Sequence, residues 1–140
     1  MEYFKVVIAY RASDDEGKLK KFTKQIIVNS KNFAEAEADA LHAFGEAVPE
    51  GHAEFEMKSI SKVHFEYIFG MDNQNILHRP QWYKATVKTD SEKFQILICG
   101  DNNISDISND ISERMSNEVV IPFGVVQVTS TNILTVELTA

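Results

Sequence analysis

The chain repeats its own order of elements. Tyr3-Phe4-Lys5-Val6-Val7-Ile8 opens one run of β-forming residues, and Trp82-Tyr83-Lys84-Ala85-Thr86-Val87 opens another 79 positions later. Phe33, Ala36, Ala40 and Phe44 fall on one face at helical spacing. Ile104, Ile107, Ile111 and Met115 repeat that face 71 positions on, and Phe123, Val125, Val128, Ile133 and Val136 follow Phe55, Met57, Ile60, Phe65 and Ile68 by 68. The offsets shrink only across loops, so the pattern reads as two diverged copies of one module.

Each copy reads as β-β-α-β. In the first, a strand from Tyr3 to Arg11 meets the polar turn Asp14-Asp15-Glu16-Gly17, and Lys21 to Val28 returns as its antiparallel hairpin partner. Asn32 caps the helix, with Glu35 three residues on in a capping-box-like arrangement; Asn103 and Asp106 repeat it. Gly45 and Pro49 mark the helix end. Alternation from Phe55 to Phe69 slips near Ser59, which predicts a bulge or two short strands.

A lone β-β-α-β unit leaves a sheet edge and a helix face uncovered. The expectation is therefore an α+β fold in which two repeats share an antiparallel sheet with two helices on one face. It forms a single domain over 1–140, with repeat one about 1–70, a linker about 71–80 and repeat two about 81–140.

With 44% hydrophobic and 25% charged residues, the composition is that of a soluble globular protein. No apolar run approaches the roughly 18 residues of a membrane span, and Met1 to Arg11 lacks a signal-peptide block. A cytoplasmic protein with no membrane partner is expected. The single cysteine, Cys99, has no disulfide partner and ends an apolar run, where it reads as a buried thiol.

The aromatic-aromatic-lysine strand opening each half, the helix Phe33-Ala34-Glu35-Ala36-Glu37-Ala38 and the Phe55 to Phe69 segment resemble an uncharacterised family, a domain of unknown function. Its members are short two-repeat proteins from gut bacteria and their phages. The resemblance covers nearly the whole chain and implies the two-part fold, but no activity and no catalytic residues. The second helix departs from it: Ile104-Ser105-Asp106-Ile107-Ser108-Asn109-Asp110-Ile111 is rich in isoleucine and serine instead of alanine.

Motifs of catalysis are not visible. No nucleophile-base pattern or paired carboxylates stand out, and His42, His52, His64 and His78 lack close metal-ligand spacing. The six glycines are scattered singly, without a phosphate loop. Gly100-Asp101-Asn102-Asn103 reads as a strand-to-helix turn ending in a cap. The expectation is a non-enzymatic protein with no cofactor and no metal.

The strand faces carry the one constellation that suggests a ligand. Phe4, Val6, Ile8 and Tyr10 make the apolar face of the first strand, and Tyr83, Ala85 and Val87 that of its counterpart. The opposite faces present Tyr3, Lys5 and Arg11, and Trp82, Lys84 and Lys88. Aromatic rings among cations on an open sheet suit single-stranded nucleic acid, because rings stack on bases and cations meet phosphates. The net charge of -7 excludes nucleic-acid coating by global charge. Charge is nevertheless segregated: Lys18, Lys20, Lys21, Lys24 and Lys31 lie between residues 17 and 31 without an acid, so the hairpin would extend a cationic track. The same residues also serve a subunit-contacting sheet or strand edge, which makes a homo-oligomeric assembly or adaptor module the rival reading. Sequestration of a small phosphorylated ligand by the same cations is the third.

Overall fold

The computed structural model describes residues 2–48, 54–70, 81–100 and 104–137, the side chains of Ile104 and Ser105 excepted. The linker at 71–80, Pro49, His52, His78 and the turn and cap at 101–103 lie outside the described residues. The elements run β1 (Glu2–Ser13), β2 (Leu19–Ser30), α1 (Phe33–Ala47), β3 (Phe55–Val63), β4 (Tyr67–Phe69), β5 (Gln81–Thr89), β6 (Lys93–Gly100), α2 (Ile104–Glu118), β7 (Phe123–Ser130) and β8 (Ile133–Glu137).

The fold is α+β, with two helices and two four-stranded mixed sheets, ordered β3-β1-β2-β8 and β4-β6-β5-β7. The expected single antiparallel sheet is corrected. One compact unit comprises Met1–His64 and Asn132–Ala140, the other Phe65–Thr131. The physical reason lies in how the second strand of each hairpin is covered. Instead of two hairpins joining edge to edge, β8 pairs parallel to β2 and β4 pairs parallel to β6.

In the first unit, the β1–β2 hairpin turns at Asp14. Its Oδ1 accepts from the Glu16 and Lys18 amides at 2.9 Å each, and its backbone N–H donates to the Lys18 carbonyl at 2.8 Å. Gly17 adopts φ +81°, a conformation that costs other residues a steric penalty. The Lys18 amide and the Lys20 ammonium, 3.0 Å from Oδ2, hold the Asp14 carboxyl below the usual carboxylate range.

The cap of α1 forms as the sequence predicts, with the Glu35 amide donating to Asn32 Oδ1 at 2.8 Å. The helix runs through Gly45 and ends at Ala47, where the Val48 amide still reaches the Phe44 carbonyl. Ala36, Ala40 and Ala43 are small enough to bring the helix down onto Phe4, Val6, Ile8, Ile26 and Val28. Phe44 fills the remaining space against Tyr10 and Phe55, at ring separations of 5.1 and 5.2 Å. Burial pushes the Tyr10 phenol up. Phe33, expected on the core face, is 48% exposed and makes an edge contact with the ring of Phe4 at 5.0 Å.

Asn132 fastens β8 to this unit. Its carbonyl and Oδ1 accept from the backbone and side-chain amides of Gln25 at 3.0 and 2.6 Å, and its Nδ2 donates to the Thr23 carbonyl at 3.0 Å.

In the second unit, Ile107, Ile111 and Met115 of α2 close over Tyr83, Ala85, Val87, Ile96 and Ile98. Larger side chains replace the alanines of α1 here. Arg114 secures the end of β4, donating to the Gly70 carbonyl at 2.8 Å with its guanidinium 5.8 Å from the Phe69 ring centre.

The ladders of the two units break at matching places. Lys58 stands unopposed where Val7 pairs with Ser59 and Ile8 with Met57; Val126 stands unopposed where Thr86 pairs with Gln127 and Val87 with Val125. The slip near Ser59 is thus a bulge, and the segment is also divided into β3 and β4.

Candidate nucleic-acid interface

The site in the second unit begins with a four-residue turn. The Thr89 amide donates to the Glu92 carbonyl at 2.9 Å, and the Glu92 amide donates to Thr89 Oγ1 at 3.2 Å. Thr89 is 5% exposed, so the turn is anchored from within. The closure fixes the β5–β6 register, with Lys88 opposite Lys93, Thr86 opposite Gln95, Lys84 opposite Leu97 and Trp82 opposite Cys99. On the other side β7 sets Gly124, Gln127 and Thr129 opposite Lys88, Thr86 and Lys84.

Side chains directly opposite in a ladder share a face. Tyr83, Ala85 and Val87 point into the helix-covered core, so Trp82, Lys84, Thr86 and Lys88 occupy the other face with Lys93, Gln95, Leu97, Cys99, Gln127 and Thr129. Lys84, Lys88 and Lys93 are exposed, Trp82 is half-buried, and Leu97 and Cys99 are buried. Cys99 is buried and in no disulfide, as its place in the apolar run predicts.

No β5, β6 or β7 position on this face carries a carboxylate; at the β4 side Glu66 lies exposed beside Gln95, its amide donating to the Gln95 carbonyl at 2.9 Å. The acids of the hairpin, Asp90 and Glu92, lie in the turn, and among the described residues neither forms an ion pair with Lys88 or Lys93. Two ammonium groups directly opposite each other raise the local potential, at a cost to the free sheet. The arrangement favours an anion.

The equivalent face of the first unit is chemically mixed. Tyr3, Lys5, Val7, Ala9 and Arg11 share it with Asn29, Ile27, Gln25, Thr23 and Lys21 of β2, and with Ser61, Ser59 and Glu56 of β3. Arg11 is 3.9 Å from Glu54. A groove of about 270 Å³ at this end is lined by Ala9, Tyr10, Arg11, Lys21, Glu54, Phe55 and Glu56. Cations and acids here offset one another.

The hairpin lysines do not line up on that face. Lys20 and Lys24 pair with Ala12 and Ile8, on the helix side, whereas Lys21 pairs with Arg11 on the opposite side. Lys18 lies exposed in the turn, and Lys20 is held by Asp14. Of the residues singled out from sequence, the structure brings together Trp82, Lys84 and Lys88 in one unit and Tyr3, Lys5, Arg11 and Lys21 in the other. Lys93 was missed. The polar Asp90-Ser91-Glu92 stretch was its available signal, because a short turn there places Lys93 against Lys88.

Over residues 2–138 the chain matches the family described as Domain of unknown function (DUF4494). It belongs to that family. The match bears out the resemblance read from the strand openings and the first helix, and the description carries no activity. A comparison with curated proteins found no match. Within this DUF4494 chain, no group of three or more His, Cys, Asp or Glu among the described residues is placed to hold a metal ion. No helix among them is long and apolar enough to cross a membrane.

Proposed function

We propose that the chain is a non-enzymatic binding module of the cytoplasm that takes single-stranded nucleic acid on the lysine-bearing sheet face of its second unit. The observation that carries this reading is the face on which Lys84, Lys88 and Lys93 are exposed beside Trp82, none of the three held in an ion pair among the described residues. The lysines would meet phosphates, and Trp82 would stack on a base. Gln95, Gln127, Thr86 and Thr129 offer neutral hydrogen-bonding groups among the cations. Tyr3, Lys5, Arg11 and Lys21 contribute less, because Glu54 and Glu56 lie among the cations there. Those two glutamates also disfavour that groove as a store for a small phosphorylated ligand.

Trp82 is the only tryptophan, so its fluorescence reports on the face directly. Titration with an unlabelled single-stranded oligonucleotide at low salt should quench it, with recovery as salt is raised. Unchanged emission throughout, with unchanged oligonucleotide mobility, would sink the proposal.

A further inference from the structure

From Val119 to Val136 the chain contains no ionisable side chain, although 25% of its residues are charged. The β7 strand lies inside this stretch and forms one end of its sheet, so among the described residues its outer backbone edge has no strand partner. Natural edge strands are normally guarded by charge, because free N–H and C=O groups invite another strand. The corresponding edge of the first unit is guarded in this way. There β3 carries Glu56, Lys58 and Lys62, with Lys58 paired to Glu56 and Lys62 to Glu2 at 3.0 Å each.

The contrast is sharpest at the bulges. The unopposed residue of β3 is Lys58, and that of β7 is Val126, which is 56% exposed. Val120 and Ile121, just before the strand, are 102% and 52% exposed. Half of the large exposed hydrophobic residues among those described thus fall between Val120 and Val126.

We infer that the outer edge of β7 pairs antiparallel with β7 of a second copy of this chain, forming a twofold dimer with a sheet continuous across it. The occupant follows from charge. Two copies each carrying -7 repel one another, and they can approach most easily along a strip without charge. Such an interface is isologous, so each residue must tolerate its own kind across the axis. Phe123–Ser130 satisfies this in every register. With the axis through the middle of the strand, Val126 of each copy lies beside Gln127 of the other and both Val126 side chains flank the axis. Main-chain hydrogen bonds then supply affinity, as in other strand additions, and the exposed valines lose contact with water.

Sedimentation equilibrium of the full chain tests this inference independently of nucleic-acid binding. The wild type should show a concentration-dependent monomer-dimer equilibrium. Val126→Lys, which puts two ammonium groups beside the axis, should raise the dimer dissociation constant at least about tenfold, a change equivalent to 1.4 kcal/mol, with an unchanged circular-dichroism spectrum. Val120→Lys, at a fully exposed position, should weaken the dimer in the same direction and guards against a folding defect in the first variant. A wild type that stays monomeric to about 1 mM, where even a weak interface is half-populated, overturns the inference. So does a dimer that both substitutions leave intact, or a monomer that captures only other proteins.

Discussion

Lys88 and Lys93 stand directly opposite each other across the β5–β6 ladder, closed into register by the Thr89–Glu92 turn. Like charges in that position destabilise a sheet by about 0.2–1 kcal/mol. Lys93→Gln should therefore raise thermal stability slightly while weakening oligonucleotide binding. Unfolding and binding measured on the same variant check this opposition. A loss of both, or of neither, contradicts the assigned role of the pair.

Asn32 is the cleanest local test of the fold. Its side chain satisfies the Glu35 amide at the start of α1, and Asn32→Ala should cost about 1 kcal/mol in denaturant unfolding. Phe44→Ala, which empties the space between Tyr10 and Phe55, should cost about 3–5 kcal/mol.

These two residues also mark what was legible in advance. A cap, a helix face and the slip near Ser59 are written in neighbouring residues, and each reappears in the structure. Phe33 was misplaced because periodicity identifies a face but not where that face leaves the sheet. The pairing of β8 with β2 joins residues more than a hundred positions apart, and nothing local specifies which strand covers a given edge. For the candidate site the alternation of β5 was readable, so Trp82, Lys84 and Lys88 were found. Lys93 required the register, and the acids that temper Arg11 and Lys21 come from β3 and the residue before it, on the far side of α1.

Gly100, on β6, lies under α2. A methyl group at that position would press on Cδ1 of Ile107, which is itself 1% exposed and has little room to move. Gly100→Ala should destabilise the second unit by about 1–3 kcal/mol. Urea unfolding of this variant checks the packing of α2 without touching the lysine face.

The Asp14 carboxylate gives the fold a pH signature. Its folded-state pKa lies below the ordinary 3.8, chiefly through the Lys18 amide and then the Lys20 ammonium. Its stabilising contribution is therefore fully present above the unfolded value and lost as pH falls through the lower folded value. Stability of Asp14→Asn relative to wild type, measured from pH 7 to pH 2, should show a deficit that narrows only below about pH 4. A deficit independent of pH would assign the role of Asp14 to its neutral hydrogen bonds alone.

The most direct test of the binding account is the salt dependence of affinity for a single-stranded oligonucleotide. Three lysines meeting three phosphates predict that log K falls with log salt at a slope of about -2. The combined variant Lys84→Gln, Lys88→Gln, Lys93→Gln should flatten that slope and lose most of the affinity, while substitution of Lys5, Arg11 and Lys21 leaves it largely in place. Equal slopes in the wild type and the Lys84, Lys88, Lys93 variant would contradict the account.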